Sequence, residues 1–355
     1  MKFEKVAIVA GTRPEVIKCY PVLAELRNRN INTLFISTGQ QKELLAETLD
    51  SLQISPDIDL NLMTENQTPA AFLTRTISEL SSIFSKEEPD LILVQGDTLS
   101  AFAGAQAAYL NSIKLGHIEA GLRSHSLDSP WPEEGIRRAI DSISNFLWVP
   151  TEADVLVCEP DQECLVTGNT VVDALRLIRS NSPTVVTERK KIIVTMHRRE
   201  SFGKTMTKAL EALVEYSKKC EHEILFIQHP NPNVQKSVIE AKIKESRIEI
   251  SQPIPYVSFI KLLQSCNLLI TDSGGLQEEA TILGIPTLIL RESTERAAAI
   301  TEGRSLLSSP DGKLLEAHAN FLINVDKSSQ GMNLVFGDGF AAKKIIDSIF
   351  GARND

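Results

Sequence analysis

The sequence has little of what marks a membrane, secreted or nucleic-acid-binding protein. No apolar run approaches the ~20 residues that span a bilayer, and residues 1–10 lead into a strand pattern rather than the apolar segment of a signal peptide. Acidic residues outnumber basic ones by 46 to 37, and the net charge of −9 leaves no general basic face for nucleic acid. We therefore expect a cytoplasmic protein with no membrane or nucleic-acid partner, which holds any anionic ligand by a local cluster of donors.

Cysteine is scarce and has no metal-binding spacing. The five thiols are scattered, odd in number and never form a CxxC pair, which favours reduced cysteines over a disulfide framework or a zinc site. No GxGxxG follows the first predicted strand, so the fingerprint of a dinucleotide cofactor is missing as well. We expect neither a metal nor a cofactor. The cysteines are Cys19, Cys158, Cys164, Cys220 and Cys266.

Short apolar runs alternate with helical patterns in two successive series. Such alternation predicts an α/β fold of doubly wound parallel sheets, and a length of 355 residues favours two domains. The predicted strands are Val6–Ala10, Thr33–Ser37, Leu91–Val94, Leu115–Ile118, Phe146–Val149, Ile192–Met196, Ile224–Gln228, Leu268–Thr271 and Thr287–Leu290. The predicted helices include Val16–Arg27, Phe72–Phe84, Thr205–Lys218, Gly275–Leu283 and Ala341–Phe350.

The predicted domain boundary lies in the break between the two series. The segment 168–170, Gly-Asn-Thr, has the pattern of a helix cap, and 181–183, Asn-Ser-Pro, has that of a helix end. We place the N-terminal domain at residues 1–167 and the C-terminal domain at 168–339, with a last helix within 340–355 that packs back on the first domain. Because ligands of open parallel sheets bind beyond the carboxyl ends of the strands, an interdomain cleft is the expected site.

The first candidate anion-binding loop is 11–15, Gly-Thr-Arg-Pro-Glu, which follows the first strand and opens a helix. Glycine lets the backbone approach a ligand, and the N-terminus of a helix favours negative charge. Arg13 adds a two-pronged donor, and Lys18 lies about one turn further on. A simple βα turn with a solvated arginine has the same pattern, so this loop alone leaves both interpretations open.

The second candidate loop is stronger because it contains twin glycines. Ser273 and Gly274 follow a predicted strand and begin a helix, an arrangement whose N–H groups suit a diphosphate. Glu279 follows about one turn later, where a carboxylate suits ribose hydroxyls better than phosphate. The alternative is an ordinary helix cap followed by solvated acids.

Acidic and histidine side chains mark the same ends of the predicted strands. Asp97 and Glu119 follow strands and Glu133 lies in a Pro-Trp-Pro-Glu-Glu loop, which are positions suited to acid–base catalysis. One such acid is usually a cap or a solvated charge, but three in one domain favour a function. His197 precedes two arginines, a context suited to diphosphate binding or proton transfer. His229 fits a ligand or loop packing equally well.

Taken in chain order, these segments resemble the non-hydrolysing UDP-N-acetylglucosamine 2-epimerases, a family with two Rossmann-like domains in a glycosyltransferase-B-like arrangement. The resemblance covers nearly the whole chain, and its motifs appear in the family's order. The matching motifs are Gly11–Glu15, Gly96–Thr98, Gly116–Arg123, Ser129–Glu134, Val166–Thr170, His197–Glu200, Asp272–Glu279, Thr294–Arg296 and Gly337–Gly339.

The resemblance implies a role for each matching side chain. The residues with acid–base or leaving-group roles would be Asp97, Glu119, Glu133 and His197. Those that bind the nucleotide, with Phe259 beside the uracil, would be Arg13, Lys18, Arg137, Phe259, Ser273, Gly274, Glu279 and Arg296.

The resemblance also implies a reaction that needs no nicotinamide. UDP-N-acetylglucosamine would eliminate UDP to an unsaturated glycal, and UDP would return with a proton delivered to the opposite face of carbon 2. This chemistry needs a carboxylate near carbon 2, donors on the departing diphosphate and a dry site. The product, UDP-N-acetylmannosamine, would supply cell-surface polysaccharide synthesis, and the partners expected are the UDP-sugar and a second copy in a homodimer.

A regulatory site is only partly preserved. In bacterial members of this family a second UDP-N-acetylglucosamine can bind beside the substrate and activate the enzyme. The chain departs from the family pattern at Gln41, Lys42 and Asn66, and lysine cannot give arginine's two-pronged phosphate contact. We therefore expect weak or absent activation. The positions that match the regulatory pattern are Gln40, Gln67, Glu134, Arg198 and His229.

Three alternatives share the fold. A hydrolysing relative would release free N-acetylmannosamine, but the resemblance implies that such relatives lack the motifs around Glu119 and Glu133. A glycosyltransferase would need an acceptor pocket. A catalytically inactive UDP-sugar-binding protein is disfavoured by the intact set of acids, and fold analogy alone does not separate these alternatives.

Overall fold

The central strands of the protein are continuous apolar runs that are buried on both faces. Val6–Ala10 and Leu91–Val94 are fully inaccessible to solvent, which is the pattern of strands in a parallel sheet covered by helices on both sides. The computed structural model describes residues 3–64, 67–124, 126–128, 130–180, 190–293, 300, 304–324 and 335–352.

The described chain contains two parallel sheets and their flanking helices. The strands are β1 (Lys5–Ala10), β2 (Asn32–Ser37), β3 (Ile58–Asp59), β4 (Leu91–Gln95), β5 (Lys114–Ile118), β6 (Phe146–Val149), β7 (Glu163–Val166), β8 (Lys191–Thr195), β9 (Glu223–Ile227), β10 (Glu249–Ser251), β11 (Leu268–Thr271), β12 (Thr287–Leu290) and β13 (Ser305–Ser308). The α-helices are α1 (Arg13–Asn28), α2 (Lys42–Leu52), α3 (Pro69–Glu87), α4 (Leu99–Leu110), α5 (Glu133–Ile143), α6 (Thr170–Ser180), α7 (Lys204–Lys219), α8 (Pro232–Glu240), α9 (Tyr256–Gln264), α10 (Gly274–Ile282), α11 (Leu315–Ile323) and α12 (Ala341–Phe350).

Both sheets have the strand order of a doubly wound fold. The first is seven-stranded, in the order β3-β2-β1-β4-β5-β6-β7, and the second is six-stranded, in the order β10-β9-β8-β11-β12-β13. In each sheet the order reverses once, between β1 and β4 and between β8 and β11, and that reversal is where such folds bind ligands. The predicted α/β class with two Rossmann-like sheets is confirmed, and every strand and helix predicted from the sequence is present.

The chain divides into one unit of Met1–Ile178 with Phe336–Asp355, and a second of Arg179–Val335. The division therefore falls after Ile178, whereas the sequence pattern places it before residue 168. The reason is that α6 packs into the first unit: its Asp173 accepts hydrogen bonds from the backbone N–H groups of Ala341 and Ala342. Helix capping at residues 168–170 marks the start of a helix, not the start of a domain.

The C-terminal helix α12 completes the first unit. Asp347 pairs with Arg29, the C-cap residue of α1, at 2.7 Å, and Ser348 accepts a hydrogen bond from the Trp148 indole at 3.0 Å. Among the described residues, every helix is too short or too polar to span a bilayer.

One prediction about the cysteines is wrong. Cys158 and Cys164 form a disulfide, with their Cα atoms 6.3 Å apart. The short 3-10 helix Glu152–Val157 ends just before Cys158, and the chain then turns back into β7, which contains Cys164. That reversal brings the two side chains together, and their separation in sequence carries no CxxC signal.

Candidate active site

The residues that suggest chemistry lie where strands end next to the order reversals. In the first unit the segments after β1, β4 and β5 contain Arg13, Asp97 and Glu119. In the second unit His197 follows β8 and Ser273 follows β11. Because β1 neighbours β4 and β4 neighbours β5, the first three segments meet at one edge of their sheet.

The loop after β1 is organised around a buried carboxylate. Glu15 has no exposed surface and accepts hydrogen bonds from the N–H groups of Gly11 at 2.9 Å and Thr12 at 2.7 Å, and from the Thr98 hydroxyl at 2.6 Å. Burial raises the pKa of Glu15 to about 7, although these donors oppose the rise. Two of the loop's N–H groups therefore bind a protein carboxylate, and the loop is tied to the start of α4.

Glycine at position 11 is explained by packing. A Cβ atom there would lie 2.0 Å from the Thr38 hydroxyl and 2.1 Å from the Ser100 hydroxyl, and those two hydroxyls are hydrogen-bonded to each other at 2.7 Å. Arg13, in the same loop, is half-exposed, and its contact with a ligand stays a prediction.

Lys18 contacts a candidate catalytic acid. Its ammonium lies 2.7 Å and 2.6 Å from the two carboxylate oxygens of Glu119, and the Gln95 side-chain amide donates to the same carboxylate at 2.5 Å. Glu119 is 8% exposed and has a φ of +64°, a left-handed conformation that is uncommon for a residue other than glycine. The arrangement holds Glu119 as an oriented carboxylate beside a cation.

Arg137 bridges two other acids. One of its guanidinium nitrogens pairs with Asp97, and the other contacts Glu134 at 2.8 Å. Glu134 is fully buried and also binds Arg138 at 2.7 Å and the Ser124 N–H at 2.9 Å. Burial disfavours ionisation of Glu134, but the Ser124 N–H and the two arginines together hold its pKa below the ordinary value.

Glu133 differs from these acids. It begins α5 and is half-buried, and its buried Oε2 atom has no hydrogen-bond partner within the described ranges. A buried carboxylate oxygen without a donor is costly. Glu133 Oε2 is therefore one of the buried oxygens of the first unit, together with the Thr12 and Thr170 hydroxyls, for which the described residues provide no donor.

A further buried cluster was not anticipated from the sequence. His117, on β5, is within 2.7 Å of Asp141 and 2.8 Å of the Gly96 carbonyl, and Asp141 pairs with Arg123 at 2.6 Å. The sequence contains one signal that could have indicated this cluster. Glu134, Arg137 and Asp141 are three and four residues apart, a spacing that places them on one face of α5.

In the second unit, Asp272 organises the segment after β8. Its fully buried carboxylate accepts hydrogen bonds from the backbone N–H groups of His197 at 3.0 Å and Arg198 at 3.0 Å. Burial raises the pKa of Asp272, opposed by His197 and these N–H groups. The His197 ring stacks on that of His229, with centroids 5.4 Å apart, and burial followed by the charge of His197 lowers the pKa of His229.

The start of α10 has the form expected of an anion site. Ser273 is its N-cap residue, and its N–H donates to the Thr271 hydroxyl at 3.0 Å. The next N–H groups, of Gly274 and Gly275, belong to a first helical turn that has no intrahelical acceptors. A Cβ atom at Gly275 would meet open space, so the backbone is accessible there.

The predicted ribose and uracil contacts lie on α9 and α10. Glu279 is buried and accepts a hydrogen bond from the Tyr256 hydroxyl at 2.8 Å, so the tyrosine orients the carboxylate. Phe259 lies on the same helix as Tyr256 and is 5% exposed. Arg296 falls outside the described residues.

The remaining regulatory candidates have local partners. The Gln40 carbonyl oxygen accepts hydrogen bonds from the backbone N–H and hydroxyl of Ser100, and Gln67 binds Thr64. Arg198 pairs with Glu200 at 3.4 Å. Within the part of the chain that the structure describes, no group of three or more His, Cys, Asp or Glu residues is arranged to hold a metal ion.

A family model described as UDP-N-acetylglucosamine 2-epimerase matches residues 24–350. The UDP-N-acetylglucosamine 2-epimerase of Campylobacter jejuni is 36% identical over 379 residues, which cover 99% of each chain.

Solved structures give the same relationship. The crystal structure of UDP-GlcNAc 2-epimerase from Neisseria meningitidis bound to UDP-GlcNAc superposes with a TM-score of 0.86 at 34% identity, covering 97% of this chain and 99% of that one. MurG from Acinetobacter baumannii, at 15% identity and a TM-score of 0.55 over 98% and 99% of the two chains, shares the fold alone. The resemblance stated from the motifs is confirmed: the chain belongs to the UDP-N-acetylglucosamine 2-epimerase family.

Proposed function

We propose that this protein interconverts UDP-N-acetylglucosamine and UDP-N-acetylmannosamine without releasing free sugar. The observation that carries the proposal is the set of acids in the first unit: Asp97 and Glu119 are held by cations, while Glu133 keeps a buried oxygen without a donor. Acids in such different surroundings suit different steps of one proton-transfer reaction.

The reaction proceeds by elimination and return of UDP. A carboxylate removes the proton from carbon 2, the C–H electron pair becomes the double bond between carbons 1 and 2, and the bond from carbon 1 to the diphosphate oxygen breaks with its electron pair on UDP. Re-addition of UDP to carbon 1, with protonation of carbon 2 from the opposite face, gives the epimer. The Lys18 ammonium, 2.6 Å from Glu119, fixes the orientation of this carboxylate and supports it as one of the proton-transfer groups.

The second unit binds the nucleotide in this proposal. The first turn of α10, from Ser273 and Gly274, places N–H groups and the positive end of the helix dipole near the diphosphate as negative charge develops on it. Glu279, oriented by Tyr256, accepts hydrogen bonds from the ribose hydroxyls. His197, which follows β8 in the same unit, adds a donor to the departing diphosphate.

Three further features of the proposal rest on the family resemblance. They are a cytoplasmic location, a homodimer, and supply of precursors for cell-surface polysaccharide. Tyr109 and Leu110, which are 61% and 70% exposed at the end of α4, are apolar surface suited to a contact between copies.

The test of the function is incubation of the protein with UDP-N-acetylglucosamine in deuterated water, followed by NMR of the sugars. We expect both UDP-sugars at equilibrium, with deuterium at carbon 2. Free UDP and free N-acetylmannosamine as the only products would instead identify a hydrolysing enzyme. Unchanged substrate without deuterium would overturn the proposal in favour of a binding protein or another substrate. An enzyme preparation carrying Glu133→Gln is the control for contaminating activity.

A further inference from the structure

The His117 imidazole lies in an environment that contains acceptors on both sides. The ring has no exposed surface, Nε2 is 2.8 Å from the Gly96 carbonyl oxygen, and Nδ1 is 2.7 Å from a carboxylate oxygen of Asp141. A carbonyl oxygen can only accept a hydrogen bond. Nε2 must therefore carry a hydrogen, because two facing lone pairs at this distance would repel each other.

The partner on the other side is an ionised carboxylate. The second oxygen of Asp141 is 2.6 Å from the Arg123 guanidinium and accepts the Gly121 N–H at 3.3 Å. Burial disfavours ionisation of Asp141, but its hydrogen bonds and charged partners hold its pKa below the ordinary value. The Arg123 guanidinium favours the ionised carboxylate whether or not His117 is charged. A carboxylate accepts and does not donate, so Nδ1 of His117 must carry a hydrogen as well.

The ring also connects two catalytic segments. The Gly96 carbonyl that it binds immediately precedes Asp97, and the Gly96 N–H donates back to the Ile118 carbonyl at 3.1 Å. Next to these contacts, the Gln95 side chain donates to Glu119. Two successive residues at the end of β4, Gln95 and Gly96, are thus hydrogen-bonded to three successive residues at the end of β5.

We propose that His117 is a positioning residue that acts as a buried imidazolium, fixing the backbone at Asp97 relative to that at Glu119. The charged groups that face it are Asp141 on α5 and, through Asp141, Arg123. The doubly protonated ring is required because either neutral tautomer would leave one acceptor facing a lone pair. This inference rests on the proposed roles of Asp97 and Glu119, but the charge of the ring can be measured without any activity.

The first test measures the protonation state of the ring. The wild-type protein is labelled with ¹⁵N-histidine, and its imidazole nitrogens are observed by NMR at the pH of the activity assay. The His117→Gln variant identifies the signals by their loss. We expect two protonated-type nitrogens for His117. A pyridine-type nitrogen, the mark of a neutral tautomer, would overturn the proposal whatever the activity proves to be.

The second test separates positioning from a merely structural role. In His117→Gln we expect kcat to fall on the order of 10²-fold, the loss that a small misplacement of catalytic groups can cause, while KM changes little. The matched control is His318→Gln, since His318 is a half-buried ring in the second unit that binds the Ser308 hydroxyl at 2.9 Å; its kcat should match the wild type. Wild-type kcat in a folded His117→Gln variant would refute the positioning role. If that variant does not fold, the same comparison is made with Asp141→Asn, which keeps the shape but removes the charge of the ring's partner.

Discussion

At the scale of single residues, the buried carboxylate of Glu15 should make the stability of the protein depend on pH. Its pKa is raised by burial from an ordinary 4.5 to about 7. The folded state therefore binds more protons than the unfolded state between these two values. The stabilisation due to protonated Glu15 is complete below about pH 4.5 and is lost as the pH rises through about 7.

Replacement of Glu15 by glutamine should remove this pH dependence. Glutamine keeps a carbonyl oxygen for the Gly11 and Thr12 N–H groups, and its amide can donate to the Thr98 hydroxyl. Between about pH 4.5 and about pH 7, we expect the free energy of unfolding to decrease in the wild type and to decrease less in Glu15→Gln. The two decreases should differ by on the order of 1–3 kcal/mol. Urea unfolding across this range measures it.

The matched control is Glu43→Gln, because Glu43 is exposed in the first turn of α2 and should leave the slope unchanged. Equal slopes for the wild type and Glu15→Gln would contradict the prediction.

At the scale of secondary-structure elements, the strands that the sequence pattern missed are the edges of the sheets. β3 and β7 form the two edges of the first sheet, and β10 and β13 those of the second. An edge strand has one neighbour and a face open to solvent, so it does not need a continuous apolar run. β10, with the sequence Glu-Ile-Ser, has no such run. Apolar periodicity therefore detects the buried strands and cannot detect these.

The docking of α12 is an element-scale contact that can be tested. Asp173 of α6 receives the first two N–H groups of α12 at 3.2 Å and 2.9 Å, and burial raises its pKa to about 6. In Asp173→Asn one of these oxygens is replaced by an amide nitrogen, which cannot accept a hydrogen bond, so one N–H group of α12 loses its acceptor. We expect a loss of about 1–3 kcal/mol in the free energy of unfolding, measured as a lower urea midpoint. The matched control is Asp50→Asn, at an exposed position on α2, which should keep the wild-type urea midpoint. An unchanged midpoint in Asp173→Asn would show that the docking of α12 does not depend on this cap.

At the scale of the whole molecule, the open question is activation by a second substrate molecule. Glu134, one of the matching regulatory positions, is fully buried and its two oxygens are bound by Arg137, Arg138 and the Ser124 N–H. An effector would have to break these contacts to use this carboxylate. Activation requires that the effector prefers one conformational state, and each lost contact reduces that preference.

We therefore predict weak or absent activation. The reverse reaction, started from UDP-N-acetylmannosamine alone, should begin without a lag, and a trace of UDP-N-acetylglucosamine should change its initial rate little. A long lag that the trace removes would show a working regulatory site and contradict the prediction. The substitution Lys42→Arg restores the family's residue and serves as the comparison, because a two-pronged donor should strengthen any activation.

The sequence by itself determined the fold class, the central strands and the chain positions of Asp97, Glu119 and Glu133. A buried parallel strand is a local apolar run, so the sequence shows it directly. The turn residues that follow each run mark the carboxyl end of the strand, where ligands bind in such sheets. Only the tertiary structure decided which side chains meet: the order of β1, β4 and β5 in the sheet brings Lys18 to Glu119, and the position of α5 brings Arg137 to Asp97. The nucleotide contacts of the two cations stay predictions. The disulfide, the division after Ile178 and the His117 cluster depend in the same way on distance through space, which spacing along the chain does not encode.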